Sequence, residues 1–110
     1  MRTEKSLESL IDEATVDCFS PYEEVWGFQA TMDNELIFPF KASINKKQVE
    51  VLGVDVKNDK LVVMYKKDDK KYTTDILKLD YDPKQVDGSE WIDAYRQWFK
   101  DNEWFFKRRK

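Results

Sequence analysis

Three short segments in the middle of the chain have the pattern of β-strands, and this limits the folds open to the sequence. Residues 48–56 and 72–79 alternate between apolar and polar side chains, as strands with one buried face do, and residues 61–67 are a third strand candidate between them. The segments 57–60 and 67–70 have the sequences KNDK and KDDK, which are typical of tight turns. Strands joined by such short turns predict an antiparallel meander.

Apolar residues at helical spacing predict two helices before this sheet. A short amphipathic helix is expected over residues 3–13, followed by an extended segment at 15–19. A second helix is expected over residues 21–34, because Ser20 and Glu23 have the spacing of a capping box. Its predicted inner face consists of Val25, Phe28, Gln29 and Met32, which follow helical spacing.

The segments on either side of the meander are also informative. Residues 36–40 contain a central proline, which cannot donate a ladder hydrogen bond, so we expect an extended edge or connector. Residues 81–88 are expected to form a loop, and Ser89 to cap a last helix. One face of that helix carries Trp91, Ala94, Tyr95 and Trp98, which we expect to pack in the core and not to form a stacking surface for nucleic acid.

Two glycines lie inside predicted elements. Glycine at position 27 lowers the stability of the second helix by about 1 kcal/mol relative to alanine. Because glycine has no side chain, its presence there favours the interpretation that another backbone packs closely against the helix. Gly53 lies inside the first strand, where we expect a β-bulge.

The 110 residues show no internal repeat and no linker, so we expect a single domain over residues 1–110. The fold class is α+β, with a small twisted antiparallel sheet flanked by N-terminal and C-terminal helices. A sheet this short is also compatible with an SH3-like barrel. Residues 101–110 form a basic and aromatic tail, in which Trp104, Phe105 and Phe106 either dock on the body or form a patch.

The residue inventory argues against most enzymes. The chain has no histidine, which excludes serine–histidine and cysteine–histidine catalysis and removes the commonest zinc ligand. Cys18 is the single cysteine, so there is no internal disulfide and no paired-cysteine metal site. No run approaches the ~18 apolar residues of a membrane span, and the charged start lacks a secretory signal. We therefore expect a non-enzymatic, cytoplasmic protein that does not act in a membrane.

Charge is distributed unevenly along the chain. Residues 1–40 contain two basic and nine acidic groups, whereas residues 41–110 contain 17 basic and 13 acidic groups. An acidic first third suggests a cation or a basic partner, or simply a solvated surface. The overall pI of about 5.1 argues against nucleic acid as a partner, despite the basic tail.

Without histidine, the metal-binding inventory consists of carboxylates, which suit hard cations and calcium above all. The sequence from Asp55 starts like an EF-hand loop, but lysines occupy its sixth and twelfth positions, so no EF-hand is present. One group of candidate ligands surrounds the second helix: Asp17, Glu23, Glu24, Asp33 and Glu35.

The members of this group have competing explanations. Glu23 is also a capping residue that complements the helix dipole. Asp33 and Glu35 are close to the helix C-terminus, where the dipole disfavours negative charge and where exposed carbonyls are good calcium ligands.

A second acidic group follows the predicted sheet and consists of Asp80, Asp82, Asp87 and Glu90. Asp80 and Asp82 have the spacing of many calcium loops, and they are the candidates for a second, weaker site. Ordinary turn chemistry explains Asp82-Pro83 and Asp87-Gly88 equally well.

Several stretches resemble the family of CcbP, the cyanobacterial calcium-binding protein, and the resemblance covers roughly residues 8–99. Its most specific part is the acidic helix followed by the pattern Leu-x-Phe-Pro-Phe-x-Ala at residues 36–42. The matching stretches are residues 15–19, Glu23-Glu24, Trp26-Gly27-Phe28, Met32-Asp33, residues 36–42, residues 49–53 and residues 90–98.

The resemblance implies calcium binding without EF-hands by a compact acidic domain that acts as a buffer or a sensor. Asp17, Glu23, Glu24 and Asp33 fall within the matching motif, with Glu35 at its edge. The alternative hypothesis is a protein-interaction module that uses the acidic face or the aromatic C-terminal patch.

Overall fold

Five antiparallel strands form one open sheet, and helices supply the rest of the core. A computed structural model describes residues 6–107. Within this range the helices are α1 (Leu7–Ala14), α2 (Pro21–Glu35), α3 (Ser89–Asp101) and α4 (Glu103–Lys107). The strands are β1 (Phe40–Ile44), β2 (Lys47–Lys57), β3 (Lys60–Lys67), β4 (Lys70–Asp75) and β5 (Leu79–Asp80).

The strand order is β4-β3-β2-β1-β5, and every pairing is antiparallel. Because β4 and β5 are the two edges, the sheet of the described residues is open. The predicted α+β class is confirmed, and the SH3-like barrel does not form. The predicted residues 3–5 of the first helix and 108–110 of the tail lie outside the described range.

Each hairpin of the meander turns through two residues with positive φ, at Asn45-Lys46, Asn58-Asp59 and Asp68-Asp69. Two such residues are the requirement of type I′ turns, whose twist matches that of the flanking strands. The turns predicted at 57–60 and 67–70 are confirmed. The ladder also shifts register between Val51 and Gly53, where the bulge was predicted.

One expectation about the strands is confirmed and another is wrong. Residues 36–39, which include the proline, are the connector that was expected as an alternative to an edge strand, and they lead into β1, an internal strand between β2 and β5. The strand predicted over 72–79 ends at Asp75, because the Asp75 carboxylate accepts a 2.9 Å hydrogen bond from Leu77 N–H and starts a 3-10 turn. The chain then crosses to the opposite edge as β5 and pairs with β1.

The core lies between α2, α3 and the inner face of the sheet. Val25, Phe28 and Met32 of α2 are fully buried, in agreement with the predicted helical face. The Phe28 ring packs edge-on against Tyr95 of α3 at 5.5 Å between ring centroids. The Tyr95 hydroxyl accepts a hydrogen bond from Leu61 N–H at 3.2 Å, which ties α3 to the start of β3.

Burial of its ring raises the pKa of Tyr95 to about 12. The Leu61 hydrogen bond opposes this shift, and the Asp75 charge adds to it. The hydroxyl is therefore neutral at physiological pH and acts as a stable acceptor for the Leu61 amide.

Helix α2 makes close backbone contacts at two points, one near its middle and one at its C-terminal end, and each contact involves a glycine. A Cβ at Gly27 would lie 2.3 Å from the Ala14 carbonyl oxygen, so α1 packs directly on the α2 backbone as predicted. Gly88 has φ +87°, and a Cβ there would lie 2.5 Å from the Glu35 carbonyl oxygen. Gly88 is also the N-cap of α3, whereas the expected cap Ser89 is the first helical residue and is buried.

We predict that Gly27→Ala destabilises the protein by about 2 kcal/mol, although the same change normally stabilises a helix, because the added methyl group forces α1 away from α2. The free energy of unfolding in urea measures the effect. Gly53→Ala is the matched control, because its Cβ would meet only the flexible Met64 methyl group at 3.0 Å. A Gly27→Ala protein as stable as the parent would contradict the packing described.

Candidate metal centre

The segment between α1 and α2 is a tight turn, although residues 15–19 were expected to be extended. Thr15 donates its hydroxyl to the Ile11 carbonyl at 2.7 Å, and the Cys18 amide bonds back to the Thr15 carbonyl at 3.0 Å. Asp17 has φ 62°, a left-handed conformation that aspartate tolerates better than most residues. The chain has to reverse here because α1 packs directly against Gly27 of α2.

Glu23 has the capping role that its spacing predicted. The Ser20 hydroxyl accepts a hydrogen bond from Glu23 N–H at 3.4 Å, and Glu23 Oε1 accepts one from Phe19 N–H at 3.0 Å. The carboxylate therefore reaches one residue beyond the cap itself. In this position Glu23 compensates the positive end of the helix dipole.

Glu24 makes a contact that the sequence analysis missed. Its Oε1 accepts a 2.8 Å hydrogen bond from the indole N–H of Trp98, which links the first turn of α2 to α3. A buried indole N–H requires an acceptor, so the prediction that Trp98 faces the core already implied such a partner. The sequence did not indicate which acceptor it is.

The pKa of the Cys18 thiol depends on the acidic residues around it. Burial of Cys18 raises the pKa of the thiol, and the nearby charges of Glu24, Glu23 and Asp17 raise it further. Three of the predicted ligands therefore act on one sulfur atom, and they form a local acidic group at the start of α2.

Asp33 and Glu35 are exposed at the other end of α2. At ~1.5 Å of rise per residue, Asp33 lies about 13 Å further along the helix axis than Glu24. The five candidates around α2 are therefore divided between its two ends. The last turn of α2 contains no basic residue, so no lysine or arginine of that turn offsets these charges.

The Glu35 end of α2 meets the loop that precedes α3. The contact of Gly88 with the Glu35 carbonyl brings residue 87 to this helix end. Asp87 also lines an open groove of about 270 Å³ with Ile37, Pro39 and Lys41. Asp87, from the second acidic group, is thus adjacent to the candidates at the end of α2.

Asp80 and Asp82 line a neighbouring groove that also contains Lys41. Asp82 Oδ1 accepts a 3.0 Å hydrogen bond from Lys84 N–H, which is the turn chemistry considered as its alternative role. The intervening Tyr81 is fixed to α3, where its hydroxyl donates to Asp93 and its ring packs under the Arg96 guanidinium at 5.0 Å.

The donor chemistry of these residues suits calcium, but their arrangement is open. Among residues 6–107, no three acidic or cysteine side chains are placed so that they could together hold a metal ion. Any ion bound here would also need backbone carbonyls or water, both of which calcium accepts.

The aromatic residues belong mainly to the core. Trp91, Tyr95 and Trp98 are buried, which agrees with a packing role for the face of the last helix. Phe106 packs against Phe99 at 5.4 Å and against Trp98 at 5.9 Å between ring centroids. Phe105 contacts Tyr22 of α2 at 4.9 Å between ring centroids, whereas the Trp104 side chain is 56% exposed. The described part of the tail, residues 101–107, therefore docks on the body and leaves Trp104 at the surface.

The length and polarity of the helices bear on membrane association. Within residues 6–107, no helix has the length and apolar character needed to cross a bilayer.

Comparison with known proteins identifies relatives of this fold. The sequence profile of a CcbP family, described as "Calcium binding", matches residues 8–99. The crystal structure of CcbP from Anabaena is similar, with 24% sequence identity and a TM-score of 0.70. A structure of a calcium-binding protein in its calcium-binding form is similar, with 25% identity and a TM-score of 0.72. Both comparisons cover 90% of this chain and 93% of the other chain. No match was found among curated proteins.

We predict that Glu24→Gln lowers the pKa of Cys18, because glutamine removes the charge but can still accept the Trp98 hydrogen bond. The rate at which Cys18 reacts with a thiol reagent, measured across pH, should rise at a lower pH than in the parent protein. Glu8→Gln on α1 is the control and should leave the profile unchanged. An unaltered profile in Glu24→Gln would show that the acidic group does not control the thiol.

Proposed function

This chain belongs to the CcbP family of calcium-binding proteins, and from that premise we propose that it binds calcium through carboxylates, without an EF-hand and without catalysis. We propose that it acts in the cytoplasm as a calcium buffer or sensor. The single thiol, Cys18, suits that reducing compartment.

We propose that the main calcium site is at the C-terminal end of α2 and uses Asp33 and Glu35. The helix dipole places about half a negative charge at this end, so a cation is favoured there and disfavoured at the N-terminal end. Backbone carbonyls at the end of the helix add oxygen ligands of the kind that calcium binds. The absence of a basic residue in that turn leaves both carboxylates for the ion.

The observation that carries this proposal is the contact between Gly88 and the Glu35 carbonyl. It places the loop before α3 against the end of α2, with Asp87 next to the contact. Backbone oxygens of that loop can then join the α2 carboxylates at one ion, which does not require three acidic side chains at one point. At 100 times its dissociation constant, an ion that binds only the folded protein adds about 2.7 kcal/mol of stability.

The other candidate ligands are proposed as weaker positions. Glu23 and Glu24 each use one carboxylate oxygen in a structural hydrogen bond, and with Asp17 they are at the positive end of α2. Asp82 uses one carboxylate oxygen in its turn hydrogen bond with Lys84 N–H, so the Asp80–Asp82 pair is also proposed as a weaker position.

We predict that Asp33→Asn weakens calcium binding about tenfold or more, because it removes a ligand charge at the favoured end of the helix. Calorimetric titration of chelator-stripped protein measures the affinity, with magnesium as the ion control. Glu23→Gln is the matched control at the other end of α2, and we expect it to leave the calcium affinity of the main site unchanged.

The position of the ion can be checked independently through Cys18. Calcium at the C-terminal end of α2 should leave the thiol reaction rate unchanged. An ion bound by Asp17, Glu23 and Glu24 would neutralise charges that raise the pKa of Cys18, and the rate would increase. Such an increase, with full affinity in Asp33→Asn, would move the site to the α1–α2 turn. No heat up to millimolar calcium would overturn calcium binding altogether.

A further inference from the structure

Large hydrophobic side chains are exposed together at the N-terminal half of α2. Residues 6–107 contain eight exposed large hydrophobic side chains, and three of them lie between positions 16 and 26. We call this set the α1–α2 surface, and its apolar members are Val16, Phe19 and Trp26.

The exposure of Phe19 follows from the local sequence. Phe19 immediately precedes the N-cap residue, Ser20. An apolar side chain in the position before the N-cap usually packs against a hydrophobic residue at the fourth position of the helix. That position is Glu24, which is hydrogen-bonded to Trp98, so Phe19 has no such partner and is 89% exposed. Trp26, two turns of helix away from Phe19, is 52% exposed.

The segment of chain that carries these three side chains has charge of a single sign. Between Lys5 and Lys41 the sequence has eight acidic residues and no basic residue. Asp17 lies next to Val16, and the Glu23 carboxylate is hydrogen-bonded to the backbone of Phe19. The apolar side chains are therefore bordered by carboxylates.

We propose that the α1–α2 surface binds a basic amphipathic segment of another protein, with large apolar side chains on one face and lysine or arginine around them. Aromatic residues in the centre of such a surface provide most of the binding energy, and the surrounding charges select the partner. The same carboxylates repel anionic lipid, nucleic acid and an identical acidic face of a second copy. This role does not depend on calcium binding.

The test uses the full chain in the presence of a chelator, so that its outcome is independent of the proposed calcium site. The probe is a fluorescent helical peptide of leucine and lysine, with the leucines on one face, and binding is followed by anisotropy. Two control peptides are used. In the first, glutamate replaces every lysine, and in the second, the leucines and lysines are in a scrambled order that is not amphipathic.

We expect saturable binding of the basic amphipathic peptide only. Phe19→Ser and Trp26→Ser should each weaken it about tenfold or more. Ile37→Ser should have no effect, because Ile37 is 63% exposed at the other end of α2. Asp17→Asn and Glu23→Gln should weaken binding and reduce its salt dependence, while the side-chain amide introduced by Glu23→Gln can still accept the Phe19 hydrogen bond.

Equal binding of the glutamate or scrambled peptide, or equal loss in Ile37→Ser, would overturn the proposal, as would no binding at all. Sedimentation of the chain alone identifies a different occupant: dimers that Phe19→Ser abolishes would assign the surface to self-association. Binding to phosphatidylcholine vesicles that Phe19→Ser abolishes would assign it to a membrane.

Discussion

The backbone contact between Gly88 and the carbonyl of Glu35 determines how the two halves of the molecule meet. It is possible only because Gly88 has a positive φ and no side chain. The contact joins the end of α2 to the start of α3, whose buried face then covers the sheet. The second glycine contact, between Gly27 and Ala14, holds α1 against the opposite half of α2. Helix α2 is thus fixed at two points where a methyl group would not fit.

Fixing α2 in this way gives its two ends different chemistry. At the N-terminal end, Glu23 and Glu24 satisfy an amide and an indole N–H, so their charges also serve the structure. At the C-terminal end, Asp33 and Glu35 add to the negative end of the dipole and no basic residue of the last turn balances them. The first arrangement suits a positively charged partner that approaches a surface, and the second suits a small ion held between two elements.

Features encoded by neighbouring residues could be predicted from the sequence. The capping box of α2, two of the hairpin turns, the bulge near Gly53 and the buried face of α3 all follow from spacing within one element. The missed features depend on residues far apart in sequence. The short strand β5 exists because Asp75 ends β4 early and the chain reaches the free edge of β1.

The same reason limits what could be predicted of the candidate site. Residue type alone indicated oxygen ligands and calcium, and motif resemblance indicated the family. The pairing of Glu24 with Trp98 spans 74 positions, and no local pattern specifies it. Helix geometry alone predicts that the acidic residues are divided between the two ends of α2. The segments that pack against each end could be identified only from the three-dimensional structure.

The open edge of the sheet has a consequence for the behaviour of the protein in concentrated solution. Strand β4 has one side without a partner strand, and such edges can pair with other chains. In the β3–β4 hairpin, Lys66 lies opposite Lys71 and Lys67 lies opposite Lys70. These like charges cost the hairpin some stability, but they repel any second copy that approaches edge to edge. The basic half of the sequence thus keeps an exposed strand from starting aggregation.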